Sequence, residues 1–151
     1  MMRVALLCAA MLFVNPALAQ SFGFHGGEPI GDLQLVGKPA SEYEFEVRPP
    51  EPDRNFDKYF VLASDQLGVC RVLGVSAEMS QDRLDDLVAE TILALERRYR
   101  TSVDTSFFKY TFWYPTKNLT LVDVDAVHQR LVVRYVFHPE GDCVDGAPSR
   151  P

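Results

Sequence analysis

Three histidines, His25, His128 and His138, and the acids Asp123 and Asp125 are the side chains of this chain whose types could move protons in a hydrolytic reaction. A histidine acting as general base needs a nucleophile on one side and an orienting acid on the other. No nucleophile-elbow motif supplies the first of these, and none of the histidines has a recognisable partner along the chain. Asp123 and Asp125 share one face of an expected strand, whereas a working acid pair flanks a cleft, so a polar sheet face accounts for them. The densest polar run, His138-Pro139-Glu140-Gly141-Asp142-Cys143, offers three metal-ligand types within six residues. A structural zinc site takes four ligands in recognisable pairs, and a solvated turn after the last strand explains this run. No residue is therefore assigned as catalytic or metal-ligating, and no cofactor is expected. A small periplasmic hydrolase remains the alternative; it requires His128 or His138 within about 4 Å of Asp123 or Asp125 in a concave site. Asn118-Leu119-Thr120 also matches the glycosylation sequon, which matters only in a eukaryotic secretory pathway.

Cys143 has another use, which follows from the N-terminus. Arg3 gives a positive start, Val4 to Val14 is uncharged and mostly apolar, and Asn15-Pro16 breaks that run before the small residues Ala17-Leu18-Ala19. This is the pattern of a secretory signal cleaved after Ala19, which places the protein in the periplasm or outside the cell. Cys8 lies inside the apolar run behind Leu6-Leu7 and is not a lipidation site. Cleavage removes one Arg and no acid, leaving 132 of 151 residues and moving the net charge from −6 to −7. Of three cysteines, Cys70 and Cys143 survive in an oxidising compartment, where an even count means bridging. A disulfide between them closes a loop of more than seventy residues, a constraint worth on the order of 4 kcal/mol.

The elements that position these residues are legible in part. Residues 21–39 are rich in Gly and Pro and read as an irregular lead-in anchored by Phe22, Phe24 and the Ile30 to Val36 stretch. Residues 42–47 alternate glutamate with Tyr43, Phe45 and Val47, a half-buried strand ended by Pro49, Pro50 and Pro52. Two β-rich runs, 59–64 and 69–75, form a hairpin around Asp65-Gln66-Leu67-Gly68. Leu84, Leu87, Val88, Ile92, Leu95 and Tyr99 recur at helical spacing behind the N-cap Ser80. Asp82, Asp85 and Asp86 at the start of this helix, and Arg97, Arg98 and Arg100 at its end, complement the dipole. Residues 107–114 then hold six aromatics in eight positions. Read at period two, Phe108, Tyr110, Phe112 and Tyr114 face the core, with Phe107, Lys109, Thr111 and Trp113 opposite. Strands over 119–126 and from Leu131 to Phe137 follow, with a break near Val127-His128-Gln129 because an unbroken run is too long for one strand.

The expected fold is α+β: a mostly antiparallel sheet in the order β-β-β-α-β-β-β with one long helix on one face. The expected organisation is a signal peptide over 1–19, a lead-in over 20–41, one domain over 42–144 and a flexible tail over 145–151. Phe56 to Leu62, Gly68-Val69-Cys70-Arg71-Val72, the helix ending Leu95 to Tyr99, Leu119 to Ala126, and Tyr135-Val136-Phe137 followed by a cysteine resemble a family of small exported bacterial proteins of unknown function. The likeness runs from Asp53 to Cys143 through core positions and carries no catalytic signature. It implies a long tryptophan-containing loop after the helix, where this chain has only Thr101 to Ser106.

With 15 Lys plus Arg against 21 Asp plus Glu, the chain lacks the dense basic surface that nucleic acid demands. No segment of the mature chain approaches the roughly 20 apolar residues of a membrane span. The feature left over is the outward face of the aromatic strand: Phe107, Lys109 and Trp113 form a candidate interaction surface. The expected function is a non-enzymatic envelope or secreted protein that binds another protein. Its acidity suits a basic partner, as in an inhibitor of a cationic hydrolase; a sugar-binding module is a further alternative.

Overall fold

A computed structural model describes residues 21–100, 103–106 and 109–145. Its strands are β1 (Gln34–Leu35), β2 (Glu44–Arg48), β3 (Lys58–Ser64), β4 (Gly68–Val75), β5 (Asp104–Ser106), β6 (Lys109–Thr116), β7 (Leu119–Val127) and β8 (Arg130–Val136), with helix α1 (Gln81–Tyr99) between β4 and β5 and a short α2 (Glu140–Asp145) at the end. All pairings are antiparallel, in one eight-stranded sheet ordered β1-β2-β3-β4-β8-β7-β6-β5. The α+β class holds, but the expected succession of three strands, helix and three strands does not: four strands precede α1 and four follow it. The added strands, β1 and β5, are two and three residues long, too short for periodicity to reveal. The two halves of the chain are joined where β4 pairs with β8, with Val72 opposite Tyr135.

The helix begins and ends where its apolar stripe and flanking charges place it. Ser80 occupies the N-cap with extended backbone, yet its hydroxyl makes no capping bond; its carbonyl accepts from the Leu84 amide at 3.0 Å. Arg100 closes the helix in the left-handed conformation, its amide donating to the Glu96 carbonyl at 2.8 Å. At about 1.5 Å per residue, 19 residues reach roughly 28 Å, less than the breadth of eight strands spaced about 4.8 Å apart. The long covering helix that was expected is therefore too short for its sheet: α1 lies on β6, β7 and β8. Among the described residues, no helix is long and apolar enough to cross a membrane.

The rest of that face is covered by the lead-in, which belongs to the core. Phe22 is fully buried, edge-on to Phe56, Tyr59 and Tyr135 at centroid distances of 5.1, 4.9 and 5.5 Å. Gly74 of β4 lies beneath it, where a Cβ would fall 2.6 Å from Phe22 Cζ. Phe24 is buried beside it in the same cluster. Excluding these rings from water is the driving force that fixes an otherwise irregular segment on the sheet.

The opposite face carries a second, smaller cluster of Leu62, Cys70 and Cys143. Strict alternation would turn Cys70 toward Val72 and the main core. In the observed register Leu62 pairs with Arg71 and Ala63 with Val69, so Cys70 is the extra residue of a bulge. A bulge directs neighbouring side chains to the same side, which places Cys70 at disulfide distance from Cys143, Cα atoms 6.1 Å apart. Arg71 reinforces the docking of α2, its guanidinium lying 3.2 Å from Glu140 and 3.5 Å from Glu44.

Candidate functional site

Of the acids and histidines singled out for chemistry, Asp123 and His138 border one cleft and His25 and His138 another, while Asp125 and His128 line neither. Asp123 is buried on the face away from α1, on a single rung of the sheet with Thr111 and Arg134. Thr111 Oγ1 donates to Asp123 Oδ1 at 2.8 Å, Arg134 Nη1 to Oδ2 at 3.1 Å, and Lys109 Nζ lies 3.5 Å from Oδ2. Both carboxylate oxygens are thus committed to structural partners. Asp125, two residues on, accepts from the Ala126 amide at 2.8 Å. His128 is exposed in the β7–β8 turn, where it and Gln129 both have positive φ, 49° and 58°. Two left-handed residues form the primed turn that suits a hairpin, which places the expected break correctly despite the lack of Gly or Asn.

His138 and Asp123 border one cleft of about 390 Å³ between α2 and the sheet, with Arg71, Arg134 and Glu140. The carboxylate there is already held by two cations and a hydroxyl, so the cleft does not supply an oriented acid for the imidazole. Among the described residues, no group of three or more His, Cys, Asp or Glu side chains is arranged to hold a metal ion.

Of the expected interaction surface, Phe107 lies outside the described residues. Lys109 is drawn back onto Asp123, and Trp113 stands out, 50% exposed. Tyr114 departs from the expected core face: it is 73% exposed, while Phe112 on the same strand is fully buried. The cause is a second irregularity, between Trp113 opposite Leu121 and Thr116 opposite Leu119, with Tyr114 at φ 46°. An extra residue there reverses the alternation and turns Tyr114 out beside Trp113, ring centroids 6.4 Å apart. β5 pairs only with Lys109, Tyr110 and Thr111, so among the described residues no strand covers the outer edge of β6 from Phe112 to Thr116.

A larger groove, of about 860 Å³, opens at the same end of the sheet. Four segments build it: the lead-in around His25, the end of α1 at Arg98 and Tyr99, the β6–β7 hairpin including Tyr114 and Lys117, and the chain after β8 at His138. Gly26 permits the close approach of the lead-in, since a Cβ there would fall 2.7 Å from Phe137 Cγ. Burial pushes the Tyr99 phenol up to about 12, against the opposing pull of Arg98. Sequence reasoning missed this groove because its parts are far apart in the chain. The chain matches no protein-family model, no curated protein and no solved structure.

Proposed function

We propose that this chain is an exported, non-catalytic binding domain that meets a protein partner along the open edge of β6. The observation that carries the reading is the pair Trp113 and Tyr114, neighbouring exposed aromatics on a strand edge that no strand covers among the described residues. Tyr and Trp combine a large apolar body with a polar tip, and such exposed rings are the anchors typical of protein contact surfaces. Among the described residues this edge is unpaired, which adds backbone donors and acceptors for strand addition, with Pro115 limiting uncontrolled pairing. The acidic balance suits a basic partner in long-range attraction. Export rests on the N-terminal signal pattern, and the likeness to small exported bacterial proteins supports it.

The test places a photo-crosslinker at position 113 and, as control, at Leu93, an exposed apolar residue on α1. A discrete protein adduct from 113 in cells, missing from 93 and lost in a Tyr114→Ala background, is the expected result. Equal adducts from both positions would remove the β6 edge as the contact surface. N-terminal sequencing of the extracellular or periplasmic form, expected to begin at Gln20, tests export.

A further inference from the structure

We propose that the groove at the end of the sheet binds an anionic saccharide, a sugar bearing carboxylate, sulfate or phosphate. The chain carries six more acids than Lys plus Arg, yet among the described residues no Asp or Glu lines this groove. Its charged lining is Arg98 and Lys117, joined by the imidazoles of His25 and His138, two of the three histidines in the chain. Three carboxylates stand two residues along the chain from this lining: Glu28, which accepts from the backbone amide of His25 at 3.4 Å, Glu140, which lies 3.2 Å from Arg71, and Glu96 on α1. The last carbonyls of α1 bring partial negative charge to the groove, which Arg98 in the final turn offsets. Lys117 remains as the surplus, with the imidazole N–H groups as hydrogen-bond donors beside it. In a concave site such a concentration of one sign focuses the field on an incoming anion.

The ligand class follows from what accompanies the charge. Tyr114 stands at the groove in a left-handed backbone conformation, an arrangement that costs of order 1–3 kcal/mol for a non-glycine residue and is concentrated at ligand sites. Its exposed ring offers a flat apolar surface to a sugar ring, and Thr116 and Asn118 offer neutral polar groups for hydroxyls. A volume of about 860 Å³ is within the range of small-molecule sites. Preference for a saccharide over a nucleotide rests on the reading that the chain is exported. Binding in the groove itself does not.

The experiment titrates the disulfide-bonded chain with trigalacturonate, a sulfated disaccharide and glucose 6-phosphate, with neutral maltotriose as control, following heat and the fluorescence of the neighbouring Trp113. At least one anionic sugar should bind, more weakly as salt rises, and maltotriose should not. Arg98→Ala and Lys117→Ala should each weaken binding by about tenfold, and Tyr114→Ala comparably, with thermal midpoints unchanged because these side chains are exposed. Failure of all three anionic sugars, or unchanged affinity in Arg98→Glu/Lys117→Glu, would overturn the proposal. Tighter binding of a nucleoside triphosphate or of polyglutamate would leave an anion groove but overturn the saccharide. The groove and the β6 edge share Tyr114, so Arg98→Glu/Lys117→Glu separates the two readings: it should abolish sugar binding and leave the protein adduct from position 113 in place.

Discussion

Arg134 of β8 reaches Asp123 of β7 from the opposing position on the same rung, at 3.1 Å, on the sheet face that α1 does not cover. With Thr111 and Lys109 this makes Asp123 the hub of a cross-strand polar cluster over three strands. Such a hub contributes little when complete and costs most when one member is deleted, because the others are left facing one another without a counter-charge. Asp123→Ala should lower unfolding stability by about 2 kcal/mol, less than for a fully buried pair because Arg134 and Lys109 keep some contact with water. Asp123→Asn, which retains an acceptor for Thr111, should lose less. Urea unfolding of the two variants reads the difference.

The cysteine pair spans 73 residues of chain. Reduction, or replacement of both by Ala, should lower stability by about 3 to 5 kcal/mol through the denatured chain and free α2 from the sheet. Native-state hydrogen exchange should then show faster exchange in α2 and after β8, with α1 slowed or hastened no more than the global change requires. Two free thiols in unreduced, denatured protein would contradict the pairing.

Phe22 and Gly74 are a coupled pair. Phe22→Ala should cost about 3 to 5 kcal/mol by opening a cavity among Phe56, Tyr59 and Tyr135. Gly74→Ala should cost about 1 to 3 kcal/mol, since its methyl meets the Phe22 ring. The double variant should lose less than the sum, because the cavity accepts the methyl. Additive losses would show that the ring does not rest on Gly74.

Stability should fall in alkali above the ordinary phenol value of 10.0. Burial raises Tyr59, Tyr99 and Tyr135, with Tyr99 at about 12. Each phenol therefore keeps its proton in the folded chain at a pH where the unfolded chain gives it up. The folded form binds more protons, so the stabilisation is complete below pH 10 and is lost as pH rises through the folded values. Tyrosinate absorbance should rise in two stages, exposed residues first and the buried set together with unfolding. Tyr99→Phe should flatten the decline.

The parts of this fold that were legible were those written in local periodicity. The alternation of Phe45 and Val47 with glutamates, the stripe from Leu84 to Tyr99 and the burial of Phe112 all follow from spacing. Tyr114 defeated the same rule, because one extra residue reverses every side chain after it and leaves no mark in composition. The rung of Thr111, Asp123 and Arg134 depends on register across three strands, which no single strand encodes. Phe22 was visible only as an anchor in a glycine-rich stretch, since one aromatic has no period. The groove was illegible for a related reason: its lining comes from four segments that become neighbours only when the sheet is complete.

The ring of Phe22 also sets a timetable. The ribosome makes it 113 residues before Tyr135, the ring it must meet, and makes β4 well before its neighbour β8. Phe22 can meet Phe56 and Tyr59 once the first four strands are made, but the core around it is complete only when β8 brings Tyr135, joining the beginning of the chain to its end. Until that moment one side of the Phe22 ring is without its partner.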